Sequence, residues 1–437
     1  MSFPRYPEYK DSGVAWLGQV PTHWQAKRTG YFFHERREKV SDKDFDALSV
    51  TKNGVVPQLE TAAKTDDGDN RKKVCAGDFV INSRSDRKGS AGAADRDGSV
   101  SLISTVLRPR DEVEIKFAHH LLRSELFQEE FYRFGKGIVA DLWSTNFTEM
   151  RNIVLAIPPL QEQRSIATFL DHETAKIDAL VVEQEKLITL LQEKRQAVIS
   201  HAVTKGLNPN VPMKDSGVEW LGEVPEHWEV KVLKFIATVQ TGIAKGKDNT
   251  GKETITVPYL RVANVQDGYL ALDDMAEIEI SASDLQRYLL QPGDVLMNEG
   301  GDFDKLGRGH IWRGEIESCI HQNHVFAVRP HGVSSEWLNA ITGSGYAQFY
   351  FMTRSKQSTN LASISSTSIM ELPVLLPPRN EQAAVLTFIA KQTSQFDTLM
   401  TEARSAITLL QERRTALISA AVTGQIDVRT WTPQGAA

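Results

Sequence analysis

The chain has 437 residues, of which 41% are hydrophobic and 24% are charged, a composition typical of a globular protein with two to four domains. It contains no run of about 18 apolar residues and begins without an apolar stretch, which argues against a membrane span or a signal peptide, so we expect a cytoplasmic protein that binds no membrane. Two isolated cysteines, Cys75 and Cys319, argue against disulfides and zinc, and the net charge of −6 confines any nucleic-acid-binding surface to local basic patches.

The chain opens with a segment that recurs later. Residues 10–28 are KDSGVAWLGQVPTHWQAKR and residues 214–232 are KDSGVEWLGEVPEHWEVKV, with thirteen of nineteen positions identical. Each copy contains a pair of tryptophans, and aromatic pairs of this kind can form a platform on which bases stack. Because both copies keep them unchanged, we favour core anchors that fix a loop. The tryptophans concerned are Trp16, Trp24, Trp220 and Trp228.

The first variable segment, residues 29–145, carries a basic loop region. Strands are predicted at 78–82 and 100–107 and a helix from Lys116 to Phe134. Residues 71–96 contain seven basic against three acidic side chains, among serines and glycines. Small residues let a backbone approach a phosphate, which arginine and lysine neutralise. A solvated loop is the alternative, but we predict DNA contacts by Arg71, Lys72, Lys73, Arg84, Arg87, Lys88 and Arg96.

A long helix is predicted next. Residues 160–203 contain no proline or glycine and are rich in helix formers, with two prolines before them and Gly206 after them. About 44 residues at ~1.5 Å each give a rod of roughly 65 Å. Its apolar residues recur at coiled-coil spacing. They are Leu170, Ile177, Leu180, Leu187, Leu191 and Val198.

The second variable segment, residues 233–364, shows little similarity to the first. Strands are predicted at 254–263, 293–297 and 323–328, and a helix at 335–353. Because the two variable segments differ while the segments around them match, we predict that the variable segments bind two different targets. The alternative is a duplicated domain whose loops diverged without a function. The predicted DNA contacts are Lys245, Lys247, Lys305, Arg308, His310, Asn323 and Lys356.

A second long helix repeats the first. Residues 377–423 match 158–204 at twenty-three of forty-seven positions. Neither helix can bury its apolar stripe alone, and the domain between them favours an antiparallel pair over two helices docked on separate domains. The heptad positions of this copy are Ile389, Phe396, Leu399, Ala403, Ala406, Leu410 and Leu417.

The repeats predict an α+β fold with a pseudo-twofold internal repeat, in which two mixed α/β domains are separated by two long antiparallel coiled-coil helices. The predicted boundaries are 1–157 for the first domain, 158–206 for the central helix, 207–376 for the second domain, 377–424 for the C-terminal helix and 425–437 for a tail.

Motifs for chemistry are missing. The sequence has no Asn/Asp-Pro-Pro-aromatic motif of amino methyltransferases, no GxxxxGK[ST] and no GxSxG. We therefore predict a DNA-binding protein that is not itself an enzyme. The competing hypotheses are an enzyme that methylates or cleaves DNA unaided, which requires a catalytic motif, and a coiled-coil scaffold, which predicts no salt-dependent DNA affinity.

Over essentially its whole length the chain resembles the specificity subunits of type I restriction–modification systems. KDSGVAWLGQVPTHW and KDSGVEWLGEVPEHW are similar to the family's domain-opening segment, and PPLQEQRSIATFLD and PPRNEQAAVLTFIA to the entry into its helices. VPYLRVANVQDGYL and QPGDVLMNEGG are similar to elements of its target recognition domains. The first variable segment departs from this pattern because it lacks a clear counterpart of YLRVANV.

The resemblance implies how such a protein works. Each target recognition domain would read one part of a split, asymmetric sequence in double-stranded DNA, and the helices would set the gap between the parts. Two methyltransferase subunits would dock on the helices, carry S-adenosylmethionine and methylate adenine, and a motor and nuclease subunit would use ATP and Mg²⁺. We therefore expect no cofactor bound by this chain itself, and a role in DNA methylation and antiviral defence.

Overall fold

The computed structural model describes residues 3–60, 68–137, 143–246, 250–301, 306–307, 309–357 and 362–433. These form two compact units, the first containing residues 1–185 and 404–437 and the second containing residues 186–403. Within the described ranges, a search for helices apolar and long enough to cross a membrane finds none.

Two long helices, Leu160–Lys205 and Arg379–Val422, contribute to both units. In the second unit, Leu191 shares a cluster with Phe396 and Met400, whereas Ile199 and Val203, further along the first helix, share one with the earlier Val385 and Ile389. The helices therefore run antiparallel, as predicted. Ion pairs join them, Arg195 with Asp397 (3.3 Å) in the second unit and Arg414 with Asp178 (2.8 Å) in the first.

The predicted heptad stripe is only partly buried. Leu170 and Ile177 on the first helix are buried, as is Leu417 on the second, whereas Leu180 and Leu399 are 45% and 46% exposed. A straight α-helix drifts by about 20° per heptad relative to a 3.5-residue repeat, so a stripe that faces its neighbour at one point turns away further along. The remaining exposed apolar side chains of the two helices include Val182, Leu187, Leu190, Phe388 and Leu409.

Both variable segments form the same four-stranded antiparallel sheet despite their unlike sequences. In the first unit the strand order is Ala91–Ala93, Phe79–Asn82, Ser104–Pro109 and Phe33–Glu35. In the second unit it is Gly309–Ile311, Val295–Asn298, Val325–Pro330 and Ala237–Thr241.

Smaller elements complete the first unit. Its other strands are Tyr9–Asp11 with Gln19–Pro21, Gln25–Arg28 with Val154–Ile157, Leu48–Thr51 with Gly54–Pro57, and the group Lys39–Val40, Arg71–Val74 and Gly98–Val100. Its short helices are Thr29–Phe32, Ser85–Arg87, Ile115–Arg123, Glu125–Arg133 and Phe147–Met150.

The second unit is completed in a similar way. Its other strands are Met213–Asp215 with Glu223–Pro225, Glu229–Val232 with Pro373–Leu376, the group Ala276–Ser281, Thr254–Leu260 and Ile320–His321, and the group Gly300–Gly301, Ala362–Ser363 and Lys356–Gln357. Its short helices are Leu233–Phe235, Val262–Asn264, Ala282–Asp284, Leu285–Tyr288, Ser335–Thr342, Gly345–Arg354 and Ser366–Met370.

Some predicted elements are divided in the structure. The single helices predicted at 116–134 and 335–353 are each two helices, because Ser124 and Ser344 have extended backbone and their hydroxyls accept the N–H groups of Phe127 and Ala347. The strand predicted at 100–107 is interrupted by a turn at 101–103. Serine is an ordinary helix residue by propensity, so its capping role was missed.

The repeated opening segment anchors the start of each long helix. Trp24 and Trp228 are fully buried, which confirms the anchor interpretation for these two, whereas Trp220 is 38% exposed. Trp24 Nε1 donates to Glu162 Oε1 (2.8 Å), in the first turn of the first long helix, and the Tyr6 hydroxyl donates to the same oxygen (2.7 Å). Glu162 Oε2 lies 2.7 Å from His23 Nε2.

The second copy of this anchor has fewer contacts. Glu381 Oε2 lies 2.8 Å from His227 Nε2, but Trp228 Nε1 has no hydrogen-bond partner among the described residues. Sequence identity between the repeats therefore does not guarantee identical hydrogen bonding.

A Gly-Asp turn with a buried aspartate precedes a central strand of the sheet in each unit. Asp78 accepts two hydrogen bonds from Arg36 (2.7 and 3.1 Å), and Asp294 accepts two from Arg329 (both 2.7 Å). Each aspartate also accepts the backbone N–H three residues before it. These charge-assisted contacts fix the turn against the sheet.

Candidate nucleic-acid interface

A polar cleft of about 660 Å³ lies in the first unit, beside the hairpin Leu48–Thr51 and Gly54–Pro57. Seven of its fifteen lining residues carry hydroxyl or amide groups, which supply both donors and acceptors, as the edges of bases require. The lining residues are Leu48, Ser49, Val50, Thr51, Lys52, Gln58, Leu59, Arg71, Asn82, Asp86, Arg87, Ser90, Ser101, Ile103 and Ser104.

This hairpin shares two features with YLRVANV of the second unit, for which the first variable segment has no clear sequence counterpart. Ala47, just before it, forms a parallel bridge with Ser99, as Tyr259 does with Ile320 in the second unit. Each segment then reaches a turn with a positive-φ glycine, Gly54 or Gly268. The available signal was the alternation in ALSVTKNGVV around Asn-Gly, a typical hairpin turn.

Three predicted contacts have partners within the protein. Arg71 is buried and donates to Ser99 Oγ (2.8 Å), and burial lowers its pKa. Lys72 donates to the Ser104 carbonyl (2.7 Å), and burial lowers its pKa too. Lys73 pairs with Glu38 (2.9 Å), whose hydrogen bond raises the pKa of the lysine. These side chains stabilise the strands that frame the cleft.

Of the other predicted contacts of the first unit, Arg84 is half-buried and the rest are exposed. Arg84 and Arg87 lie on the loop at the cleft mouth and share Asp86, at 3.1 and 3.7 Å. Lys88 follows them and pairs with Glu129. Arg96 lies in a separate turn, 2.8 Å from the neighbouring Asp95. The structure therefore brings Arg84, Arg87 and Lys88 together and leaves Arg96 apart.

In the second unit, Asn323 and Lys245 are close to one another in the fold. The Asn323 N–H donates to the carbonyl of Ile243, two residues before the exposed Lys245. His324, beside Asn323, lies 2.6 Å from Glu299. Lys356 is exposed on a strand whose partner also pairs with Gly300–Gly301, directly after Glu299.

His310 lies on the strand Gly309–Ile311, where burial lowers its pKa. Lys247, Lys305 and Arg308 lie outside the described residues.

Two basic residues at this surface were not predicted. Lys52 lines the cleft from the hairpin turn, and Arg123 donates to its carbonyl oxygen from the end of the helix Ile115–Arg123. Neither lies in a basic run, so composition gave no signal for them. In the described part of the chain, no group of three histidine, cysteine or acidic side chains is placed to hold a metal ion.

The repeats and the fold define a class of protein with two similar domains and two long helices. Comparisons with known proteins agree with this class. A solved chain, described as the structural basis of complex assembly and conformational transition of the type I R-M system, has a TM-score of 0.68 at 14% identity and covers 92% of this chain and 98% of its own. That likeness concerns the fold alone, and it confirms the mixed α/β architecture with two long packed helices. No family model matches the chain.

Its curated homologues are type I restriction enzyme specificity subunits, which confirms the resemblance drawn from the repeats. The EcoKI specificity subunit of Escherichia coli (strain K12) is 25% identical over 366 residues, 81% of this chain and 76% of the relative. The StySPI specificity subunit of Salmonella potsdam is 24% identical over 363 residues, with the same two coverages.

Proposed function

We propose that this chain is the DNA sequence-specificity subunit of a type I restriction–modification complex, and that each variable domain reads one part of a split, asymmetric target. One observation carries the proposal: the two units share sheet order and helix pairing, yet they present unlike side chains on the loops around the sheet. Like scaffolds with unlike loops are suited to two different half-sites.

For DNA contact, we propose a division of labour in the first unit. Arg84, Arg87 and Lys88 lie on an exposed loop suited to phosphates, and the hydroxyl-lined cleft beside them is suited to base edges. Arg71, Lys72 and Lys73 support these groups through their strand contacts, and Arg96 is an outlying phosphate contact.

In the second unit, the proposed contacts are those around the strand ends. Asn323 offers an amide, which can pair bidentately with adenine, and Lys245, His310 and Lys356 supply donors. Lys247, Lys305 and Arg308 remain predictions.

We further propose that two methyltransferase subunits dock on the long helices. The exposed side chains of Leu187 and Leu190 on the first helix, both in the second unit, are an apolar surface of the kind that partner proteins bury. S-adenosylmethionine, ATP and Mg²⁺ would then be held by the partner methyltransferase and motor subunits, and this chain would be non-catalytic alone. Purified chain with S-adenosylmethionine or Mg²⁺ and DNA should show no turnover.

Methylome sequencing tests the proposal. With the partner methyltransferase present throughout, methylated adenines at one split, non-palindromic motif should vanish when this chain is removed. Asn323→Ala should relax the half of the motif read by the second unit by roughly 5- to 150-fold, as expected for a base contact worth about 1–3 kcal/mol. Arg87→Ala, at a proposed phosphate contact, should weaken methylation without changing the motif. Lys391→Gln, at an exposed position of the second helix, is the control and should leave the motif unchanged. A methylation pattern independent of the chain would refute the proposal.

A further inference from the structure

A second cleft, of about 520 Å³, opens in the first unit beside the polar one. We propose that it binds a backbone phosphate of DNA, an inference that rests on the proposed function and adds a contact confined to one half of the protein. Its walls are Lys52, Lys88, Gly89, Arg123, Ser124, Glu125, Arg414, Thr415 and Ile418.

Positive charge exceeds negative charge in this cleft. Four of its walls are basic, and Glu125 is the acidic one. Lys88 pairs with Glu129 and Arg414 with Asp178. Among the described residues, neither Lys52 nor Arg123 has a carboxylate within ion-pair distance. An incoming anion would supply the missing partner for these two cations.

Arg123 is held in place before any ligand arrives. Its Nη1 lies 2.7 Å from His119 Nε2, and its Nη2 donates to the Lys52 carbonyl oxygen. Burial lowers the pKa of Arg123, and the nearby guanidinium group of Arg414, which is half-exposed and paired with Asp178, lowers it further. Such crowding is unfavourable unless an anion joins it, which is the arrangement expected of a preorganised phosphate site.

The matching place in the second unit is closed. There, Gln196 Nε2 donates to the Gly343 carbonyl (2.7 Å), and Ser200 Oγ accepts the Gly345 N–H (2.7 Å). The repeat offset places Thr415 at the position of Gln196, and the shorter side chain leaves the cleft open. Gly343, before the capping Ser344, stands where Arg123 precedes Ser124, so the second unit has a glycine in place of the Arg123 guanidinium group.

DNA is the source of phosphate that the geometry favours. Lys52 lines both clefts, and the loop that contributes Arg87 and Ser90 to the polar cleft contributes Lys88 and Gly89 to this one. A duplex whose base edges meet the polar cleft would bring its backbone against the adjacent cations. Phosphate contacts of this kind fix the register of a protein on DNA without reading sequence.

The test is the salt dependence of DNA binding by the full chain, measured with a fluorescent duplex of arbitrary sequence. Each phosphate contact contributes about −0.9 to the slope of log K against log salt. Lys52→Gln and Arg414→Gln should each make the slope shallower by up to about one, equally for all sequences. The matched control is Arg195→Gln, which breaks the equivalent ion pair with Asp397 where the junction is closed, and which should keep the wild-type slope.

The outcomes are distinguishable. If wild-type chain shows no salt-dependent binding, the proposed function falls together with this site. If wild type binds and both Lys52→Gln and Arg414→Gln keep its slope, the phosphate site is overturned while the function stands. An equal loss in Arg195→Gln would assign the effect to the helix pair and overturn the site. Inorganic pyrophosphate could stabilise the wild type but not Lys52→Gln, while both variants keep the wild-type slope of log K against log salt. That result would assign the cleft to a free phosphate compound and overturn the DNA contact.

Discussion

Replacing Glu162 by alanine should destabilise the start of the first long helix far more than Glu381→Ala destabilises the start of the second. Glu162 is buried and accepts hydrogen bonds from Tyr6 and Trp24, with His23 on its other oxygen. Its loss leaves two buried donors without an acceptor, at about 1–3 kcal/mol each, so we expect a cost of about 3–4 kcal/mol. His23 is partly exposed and can turn to water.

The repeat supplies the control. Glu381 is more exposed and contacts His227, while Trp228 Nε1 has no partner to lose among the described residues. Glu381→Ala should therefore cost about 1 kcal/mol, the size of one partly exposed charged hydrogen bond. Both variants lose an acidic group from the first turn of a helix, so their common effect on the helix dipole cancels in the comparison.

Hydrogen–deuterium exchange with mass spectrometry is the appropriate assay because it reports the opening free energy of each helix start separately. Peptides covering residues 160–170 should exchange much faster in Glu162→Ala, whereas peptides covering 379–389 should change little in Glu381→Ala. Equal acceleration in the two variants would refute the argument, since it would mean that the Tyr6 and Trp24 contacts add nothing to the anchor.

Three further predictions concern the core, acid stability and the helices. Asp294→Ala should lower the free energy of unfolding in urea by about 3 kcal/mol because Arg329 loses its carboxylate partner. Asp274→Ala, at an exposed ion pair, should lower it by under about 1 kcal/mol, and equal costs would contradict this. Burial lowers the pKa of His321 to about 4, below the ~6.5 of an unfolded histidine. Its contribution is therefore complete above about pH 6.5 and falls by up to about 3 kcal/mol toward pH 4. His321→Asn should flatten that decline in urea titrations, and an unchanged decline would contradict the role of this histidine. Leu187→Glu should abolish co-purification with the methyltransferase while leaving the melting temperature within a degree or two, and retained binding would exclude this position from the docking surface.

The architecture was accessible from the sequence because its signals are long-range and redundant. Two near-identical opening segments and two proline-free heptad stretches predicted a duplicated α+β protein with paired helices. The common sheet of the variable segments was not accessible, since its strands are short and a sheet accepts many apolar sequences on the same backbone. Only Gly77-Asp78 and Gly293-Asp294 mark its equivalent turns in both units.

The site was predicted less well than the fold, for a physical reason. Counting charge along residues 71–96 treats Arg71 and Arg87 alike, yet one is buried against Ser99 and the other is exposed at a cleft. Lys52 and Arg123 are 71 residues apart and meet through a backbone carbonyl. Such a pairing depends on tertiary contacts, which no local pattern encodes.

The composition of the first unit has a consequence for biosynthesis. Its core joins Ile177 of the first helix with Leu417 and Val422 of the second, so residues 1–185 cannot be completed until residues 404–437 exist. About 220 residues separate these segments, which corresponds to roughly 10–40 s of translation at about 5–20 residues per second. During that interval the nascent chain carries an apolar groove that only its own last helix fills, so the ribosome-bound protein should depend on chaperones, and its yield should respond to how fast that interval is translated.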